Sequence, residues 1–230
     1  MEIKGRLKLI ADKIPNCRVL CDVGTDHAYI PVYLVKNRRC GRAVACDIGI
    51  GPLNAAKQNI KLFGLETFID ARLGYGLEPL LPGEADAIVI AGMGGTLINN
   101  ILEKGFEAVK RASWLVLQPM NAAELVRKWL YSRGFEIYDE ELASEGSKLY
   151  GVICSRWTGN RREPDEIYYY IGEKLISRRD PLLEKYIERK RSQLKNALKE
   201  LQAAGERGAE IRQKFDERIR GFDKILNIIS

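Results

Sequence analysis

The chain has 230 residues, of which 46% are hydrophobic, so it is long enough for one α/β domain with an appendage and too apolar for a disordered protein. Five cysteines, several of them in apolar runs, and a single histidine predict reduced thiols in a cytoplasmic protein and no metal site. No apolar run approaches the roughly 18 residues of a membrane span, and the first residues lack the apolar core of a signal peptide.

The net charge of +6 is distributed unevenly along the chain. Residues 1–155 hold 19 basic and 18 acidic side chains, whereas residues 156–230 hold 18 basic and 13 acidic ones. An excess of positive charge in the last third is typical of a segment that meets a polyanion such as a nucleic acid. The alternative interpretation is a solvated helical surface without a partner.

The opening segment predicts a short helix that Pro15 ends, because five apolar residues recur at helical spacing. The apolar residues of this face are Ile3, Leu7, Ile10, Ala11 and Ile14.

Strand and helix patterns then alternate as far as residue 133. Strands are predicted at residues 19–22, 43–47, 69–73, 87–91 and 114–118, and helices at residues 28–36, 51–63, 96–103, 105–110 and 122–133. Residues 135–142 and 149–157 predict two closing strands that pair in antiparallel fashion at the sheet edge. This alternation indicates an α/β fold with a mainly parallel sheet and helices on both faces.

The end of the first predicted strand has the pattern of a ligand site. Asp22 follows an apolar run, and Gly24 then opens a turn before the next helix. Ligands of parallel α/β folds bind beyond the carboxyl ends of the strands, and a glycine allows close approach of the backbone. A dinucleotide fingerprint would have a second glycine where Asp26 stands, and an acid there repels phosphate. The pattern therefore favours a cationic ligand, and S-adenosylmethionine fits that description.

Two further strand ends support an adenosyl-binding domain. Asp47 ends the second predicted strand, where an acid commonly accepts hydrogen bonds from ribose hydroxyls. The strand at residues 87–91 runs into Gly92-Met93-Gly94-Gly95, a loop that can pack closely on a flat ligand.

Residues 158–164 look like a domain boundary, since the strand pattern stops there. We therefore predict one domain over residues 1–159 and a second over residues 160–230. Apolar residues at helical spacing predict two long helices in the second domain, joined by a turn at residues 203–208. The resulting basic hairpin suits contact with the phosphates of a folded RNA. The alternative is a coiled coil that dimerises.

Three motifs together resemble those of a known family. D-V-G-T-D-H-A-Y-I-P at residues 22–31, I-A-G-M-G-G at residues 90–95 and L-Q-P at residues 117–119 are similar to the bacterial TrmK family, and the similarity extends over the whole chain. Members of that family are tRNA (adenine-N1)-methyltransferases that act on the adenine at position 22. The resemblance implies a Rossmann-like class I methyltransferase core with a C-terminal helical hairpin (coiled coil), S-adenosyl-L-methionine as methyl donor and tRNA as substrate.

The resemblance also implies which residues bind cofactor and substrate. The expected cofactor-binding residues are Asp22, Gly24, Thr25, Asp47, Ile48, Gly74, Gly76, Leu77, Ala91, Gly92 and Met93. The residues expected to bind RNA are Arg6 in the opening helix and, in the tail, Arg189, Lys190, Arg191 and Lys195.

Methylation of N1 of adenine needs alignment more than acid–base chemistry, because the N1 lone pair is itself the nucleophile. Candidate residues for the pocket that orients the base are Asp26, His27, Tyr29 and Asn121. Tyr29 could stack on the adenine, and His27 or Asn121 could hold its Watson–Crick edge. The alternatives are a helix cap for Asp26, a turn residue for His27 and a core position for Tyr29.

The chain departs from the family pattern at two positions. Tyr75 replaces an acid that could accept a hydrogen bond from the cofactor's adenine, so that contact is expected from backbone groups near Gly76 and Leu77. Met120 separates Asn121 from the L-Q-P run by one residue. Other functions left open are methylation of another RNA base or a small molecule, and RNA binding without catalysis. We expect a monomer, with a dimer through the C-terminal helices as the alternative.

Overall fold

The computed structural model describes residues 1–202 and 209–229, and the chain divides into two compact units, residues 1–163 and residues 164–230. The elements of the first unit are α1 (Gly5–Lys13), β1 (Cys17–Val23), α2 (Tyr29–Lys36), β2 (Cys40–Asp47), α3 (Ile50–Leu62), β3 (Ile69–Leu73), β4 (Ala87–Met93), α4 (Gly95–Lys104), α5 (Phe106–Arg111), β5 (Trp114–Pro119), α6 (Ala123–Ser132), β6 (Phe135–Glu145) and β7 (Lys148–Trp157).

The seven strands form one sheet in the order β3-β2-β1-β4-β5-β7-β6. β1 pairs in parallel with β2 and β4, and the outer pairs β2–β3 and β4–β5 are parallel as well. β7 runs antiparallel to both β5 and β6. The prediction of a mainly parallel sheet closed by an antiparallel pair is confirmed. The strand order reverses between β1 and β4, which is where open α/β sheets bind ligands at the carboxyl ends.

The central strands are long apolar runs because helices cover both faces of a parallel sheet. Ile88, Val89 and Ile90 in β4 are fully buried, as are Leu20 and Cys21 in β1. β1 and β2 extend beyond the predicted strands at their amino ends. β1 and β2 begin at Cys17 and Cys40, since backbone pairing continues through residues that are not apolar.

The opening helix docks its predicted apolar face into the core. Ile10, Ala11 and Ile14 have no exposed surface, and α1 packs against α2, β5, β6 and β7. The backbone N–H of Arg6 donates to Oε1 of Glu145 at 2.7 Å, which ties the start of α1 to the end of β6.

The second unit contains α7 (Glu166–Ile171), α8 (Glu173–Ser177), α9 (Leu183–Gln202) and α10 (Ala209–Ile229). The two long helices match the prediction and pack against each other, with Ile187, Phe222 and Ile225 buried. Ile211 keeps 45% of its surface exposed, so the predicted apolar stripe is not buried along its full length. The predicted turn at residues 203–208 lies outside the described residues. None of the described helices is both long and apolar enough to cross a membrane.

Candidate active site

A cleft of about 360 Å³ opens at the carboxyl ends of β1 and β4, at the point where the strand order reverses. The predicted site residues that line it are Arg6, Asp22, Gly24, Thr25, Asp26, His27, Tyr29, Ala91 and Gly92. The structure thus brings together residues from α1, from β1 and its following loop, and from β4.

The loop after β1 is held by the neighbouring strand end. The backbone N–H groups of Gly24 and Thr25 both donate to the carbonyl oxygen of Cys46, at 2.8 and 3.0 Å. Gly24 has a positive φ of 74°, and a Cβ atom there would overlap with Cε of Met93. The backbone conformation therefore favours glycine at this position, and a larger residue would also require the Met93 side chain to move.

Asp22 and Thr25 place two buried polar side chains next to each other in the cleft. Asp22 is 7% exposed, and burial raises its pKa to about 6. The Thr25 hydroxyl opposes this shift and the Asp47 carboxylate adds to it. Oγ1 of Thr25 is buried and completes no hydrogen bond at standard geometry. A buried carboxyl group beside an unsatisfied hydroxyl in a cleft is the environment expected of a ligand site.

The rim of the cleft carries the predicted base-orienting residues. The side chain of Asp26 is 77% exposed, and its Oδ1 lies 3.7 Å from Nε2 of His27. The rings of His27 and Tyr29 stack with centroids 5.1 Å apart and an interplanar angle of 18°. Tyr29 is 41% exposed, so it is not a core residue.

The alternative interpretation of Asp26 as a helix cap is wrong. The N-cap position of α2 is Ala28, which has a left-handed φ of 53°, and no side chain caps the helix. Nδ2 of Asn59 donates to the carbonyl oxygen of His27 at 2.7 Å and so holds this turn in place. The Asp26 carboxylate therefore remains available to a ligand at the rim.

The second strand end combines an acid with exposed apolar surface. Oδ1 of Asp47 accepts a hydrogen bond from the backbone N–H of Gly49 at 2.7 Å, and within the described residues its Oδ2 accepts none. Ile48 and Leu73 are 67% and 54% exposed. An acid with one free oxygen beside exposed aliphatic side chains fits a ribose and the base attached to it.

The loop at residues 74–77 turns its side chains away from this surface. Leu77 is 5% exposed and lies against Gly105. Tyr75 lines a separate cleft of about 380 Å³, where Nζ of Lys104 lies 4.5 Å from the centre of its ring. The predicted contact between the cofactor's adenine and backbone groups near Gly76 and Leu77 stays a prediction.

Gln118, which lies in the L-Q-P motif but is not among the predicted site residues, links two walls of the cleft. The side chain is fully buried at the end of β5. Its Oε1 accepts hydrogen bonds from Nη1 of Arg6 at 2.6 Å and from the backbone N–H of Gly92 at 3.2 Å, and its Nε2 donates to the Pro119 carbonyl oxygen at 3.0 Å. Gly92 has a φ of 77° and lies in a bulge of β4. A glutamine at the end of an apolar strand was the signal available in the sequence.

Asn121 lies where the β4 and β5 ends meet. Its carbonyl oxygen accepts from the backbone N–H of Gly95 at 3.1 Å, and the side-chain Oδ1 is 3.4 Å from the same group. The backbone N–H of Met120 donates to the carbonyl oxygen of Met93 at 2.7 Å. The predicted role of Asn121 in orienting a base stays a prediction.

The predicted RNA-binding residues of α9 differ in their surroundings. Arg189 and Lys195 are exposed, and Nζ of Lys190 lies 5.2 Å from the centre of the Tyr186 ring. Arg191 makes ion pairs with Glu188 and with Asp223 of α10, each at 2.8 Å. Arg191 therefore links α9 to α10 through its ion pair with Asp223.

No group of three or more His, Cys, Asp or Glu side chains within residues 1–202 and 209–229 is arranged to hold a metal ion.

Comparison with known proteins identifies similar enzymes. A family model described as a methyltransferase domain matches residues 3–153. The tRNA (adenine(22)-N(1))-methyltransferase of Bacillus subtilis (strain 168) is 42% identical over 155 residues, which cover 67% of this chain and 65% of that protein. The crystal structure of the B. subtilis M1A22 tRNA methyltransferase TrmK superposes with a TM-score of 0.90 at 31% identity and covers 97% of this chain and 98% of that one.

A second solved structure is M. capricolum TrmK in complex with S-adenosyl-homocysteine, the product of its natural cofactor. It superposes with a TM-score of 0.86 at 27% identity and covers 100% of both chains.

Proposed function

The chain belongs to the TrmK family, and on that premise we propose that it transfers a methyl group from S-adenosylmethionine to N1 of the adenine at position 22 of tRNA. The observation that carries the proposal is the cleft at the carboxyl ends of β1 and β4, where the buried carboxyl group of Asp22 lies beside the Thr25 hydroxyl and has its pKa raised to about 6. Relatives named for this reaction support it, one matched over 65% of its sequence and one solved structure matched over 98% of its chain. The acting form is expected to be a monomer in the bacterial cytoplasm, where the tRNA substrate is.

The residues of the cleft fit this cofactor. The buried carboxyl group of Asp22 favours a cation, and the Thr25 hydroxyl is available as a hydrogen-bonding group. Gly92 leaves room for close approach, and Asp47 has a free oxygen for a ribose hydroxyl. When bound, S-adenosylmethionine supplies a methyl group activated by a positively charged sulfur.

Residues at the rim of the cleft would position the adenine. The exposed ring of Tyr29, already stacked on His27, offers a platform for a base taken out of its stack. The N1 lone pair is the nucleophile, so the main task of the protein is to hold that atom in line with the methyl group. As N1 gains the methyl group the ring becomes positive, and the nearby Asp26 carboxylate would stabilise this charge through the exocyclic amino group.

Arg6 and the tail would hold the rest of the RNA. Gln118 fixes the Arg6 guanidinium in the cleft wall, where it can contact a phosphate of the target nucleotide. Exposed basic residues of the second unit, Arg189 and Lys195 among them, would contact phosphates farther along the tRNA.

The decisive experiment is transfer of labelled methyl groups to unmodified tRNA, followed by digestion and separation of the nucleosides. We expect the label in 1-methyladenosine, and we expect it to disappear when the adenine at position 22 is replaced by guanine. Label in another nucleoside would contradict N1 of adenine as the methylated atom. If the protein binds S-adenosylmethionine but labels no RNA, RNA is not its substrate. If calorimetry shows no heat of cofactor binding, the protein is better described as an RNA-binding protein without catalysis.

A further inference from the structure

Two cysteines face each other at the start of neighbouring strands. Cys17 is the first residue of β1 and Cys40 the first of β2, and the two are direct partners in the parallel register. Their Sγ atoms are 2.9 Å apart, and both residues are free cysteines. Adjacent strands lie about 4.8 Å apart, within the roughly 4.4–6.8 Å that separates the Cα atoms of disulfides. A bond between these sulfurs therefore requires no rearrangement of the backbone.

Access from solvent distinguishes this pair from the other cysteines. Cys17 is partly exposed and Cys40 lies directly behind it with 3% of its surface exposed. Cys21, Cys46 and Cys154 are fully buried within the same unit. Cys17 is therefore the most accessible of the five cysteines to a small solute, and Cys40, whose sulfur lies 2.9 Å from that of Cys17, is placed to react next.

The surroundings favour a thiolate in this pair. The two sulfurs share a hydrogen bond in which either can be the donor; this bond lowers the pKa of Cys40, and the positive charge of Arg39 acts in the same direction. The same hydrogen bond raises the pKa of Cys17, so one proton is held between the two sulfurs. Burial of Cys40 and the carboxylate of Asp86 oppose the thiolate. The thiolate is the nucleophile of thiol–disulfide exchange.

We propose that Cys17 and Cys40 form a modification site that low-molecular-weight disulfides convert reversibly into a cross-strand disulfide. The Cys17 sulfur attacks one sulfur of the small disulfide, its proton passes to Cys40, and the first small thiolate leaves. Cys40 then loses a proton to solvent and attacks the Cys17 sulfur, which releases the second thiolate. One small disulfide is reduced to two thiols, and two protein thiols are oxidised to one disulfide.

The location of the pair separates it from the candidate active site. Cys17 begins β1, whereas the cleft begins at Asp22 near the other end of the strand, about 17 Å away at 3.3 Å per residue. Oxidation is therefore expected to leave cofactor affinity unchanged. It is expected to raise the melting temperature, because it closes the chain between residues 17 and 40 in the unfolded state.

The test uses the full-length reduced protein, incubated with oxidised glutathione, quenched in acid with N-ethylmaleimide and digested with trypsin. Cleavage after Lys13, Arg18, Arg39 and Arg42 places the two cysteines on residues 14–18 and 40–42. We expect these two peptides to be joined, with a mass lower by two hydrogen atoms, and to separate on treatment with dithiothreitol. Cys21, Cys46 and Cys154 should carry N-ethylmaleimide.

Variants identify the two steps. Cys40→Ala should stop at a stable mixed disulfide between Cys17 and glutathione, and Cys17→Ser should leave Cys40 unmodified under the same exposure. Cys154→Ala, a matched change at a buried cysteine, should still form the cross-link. A wild-type protein in which all five thiols stay free, in which the mixed disulfide at Cys17 persists, or in which other cysteines are joined would overturn the proposal. The proposal does not depend on the methyltransferase reaction, since its readout is covalent.

Discussion

The buried carboxyl group of Asp22 is suited to binding a cation, but it lowers the stability of the folded protein. Its carboxyl group is almost completely removed from water, and its pKa is raised from 3.8 to about 6. Above pH 6 the folded protein must therefore keep a buried charge that the unfolded chain exposes to water. A cationic ligand would remove this penalty, so the cost to stability is the basis of the expected selectivity for a cation.

Replacing Asp22 with asparagine should stabilise the protein and weaken cofactor binding. Between pH 3.8 and about 6 the folded state binds a proton that the unfolded state lacks. The contribution of this group to the free energy of unfolding is therefore fully present below pH 3.8 and is lost as pH rises through about 6. At pH 7.5 we expect Asp22→Asn to raise the free energy of unfolding in urea by as much as about 3 kcal/mol. Asp26→Asn, at an exposed acid in the same loop, should leave it unchanged.

In a separate binding measurement, the affinity of the wild-type protein for S-adenosylmethionine should fall as pH drops below about 6, where Asp22 becomes neutral. A variant Asp22→Asn that is less stable than wild type at pH 7.5, or that binds the cofactor equally well, would contradict this account of the site.

Tyr29 should matter for turnover and not for cofactor binding. Its exposed ring stacks on His27 at the rim of the cleft, where a base can add to the stack. Loss of one base-stacking partner costs roughly 1–3 kcal/mol, so Tyr29→Ala should lower methyl transfer by about tenfold to a hundredfold. Tyr29→Phe keeps the ring and should stay close to wild type. Calorimetry with S-adenosylmethionine provides the check, because lost cofactor affinity in Tyr29→Ala would place Tyr29 outside the base pocket.

Residues at strand ends were predictable from sequence because the signal is local. An acid and a glycine directly after an apolar run, as at Asp22 and Gly24, lie at the ligand-binding edge of any parallel sheet. Gln118 was missed because its contacts with Arg6 and Gly92 depend on which strands become neighbours. The unsatisfied hydroxyl of Thr25 likewise depends on how closely the loop packs.

At the scale of elements, periodicity predicted the strands of the sheet and the long helices, and it failed where an element is short. α7 and α8 have six and five residues, too few for a helical period to show. The amino ends of β1 and β2 were missed because pairing there is carried by the backbone and not by apolar side chains. Such pairing has no signature in a single sequence.

The exposed charges of α9 are expected to bind tRNA phosphates. The double variant Arg189→Glu with Lys195→Glu should weaken tRNA binding and reduce the slope of log affinity against log salt by about two, because each phosphate contact releases counterions. Lys57→Glu with Lys61→Glu, on exposed positions of α3, makes the same change in charge in the first unit. Equal losses in both double variants, measured by filter binding across salt concentrations, would mean that net charge and not α9 determines affinity.

At the scale of the whole molecule, the division into two units predicts separable tasks. The backbone N–H of Arg162 donates to the carbonyl oxygen of Tyr131 at 3.1 Å, and those of Thr158 and Gly159 donate to Gly134. Residues up to 163 therefore belong with the first unit, whereas the sequence pattern predicts a boundary between residues 159 and 160.

A protein that ends at Glu163 should bind S-adenosylmethionine as the full chain does and bind tRNA about tenfold more weakly or worse, since it lacks the basic second unit. A second truncation after residue 159 removes the Arg162 contact and should unfold at a lower temperature. Calorimetry, filter binding and thermal unfolding check the three expectations. Undiminished tRNA affinity in the protein ending at Glu163 would exclude the second unit as an RNA-binding part.

The docking of α1 has a consequence for how the chain acquires its structure on the ribosome. α1 is synthesised first, yet it packs against β5, β6 and β7, and its Arg6 is held by Gln118 and Glu145. Until β5, β6 and β7 have been synthesised, α1 has only α2 to pack against, so Ile10 and Ile14 stay partly uncovered. The cleft therefore gains its Arg6 wall late in synthesis, so a nascent chain acquires a complete site only once nearly the whole first unit has been translated.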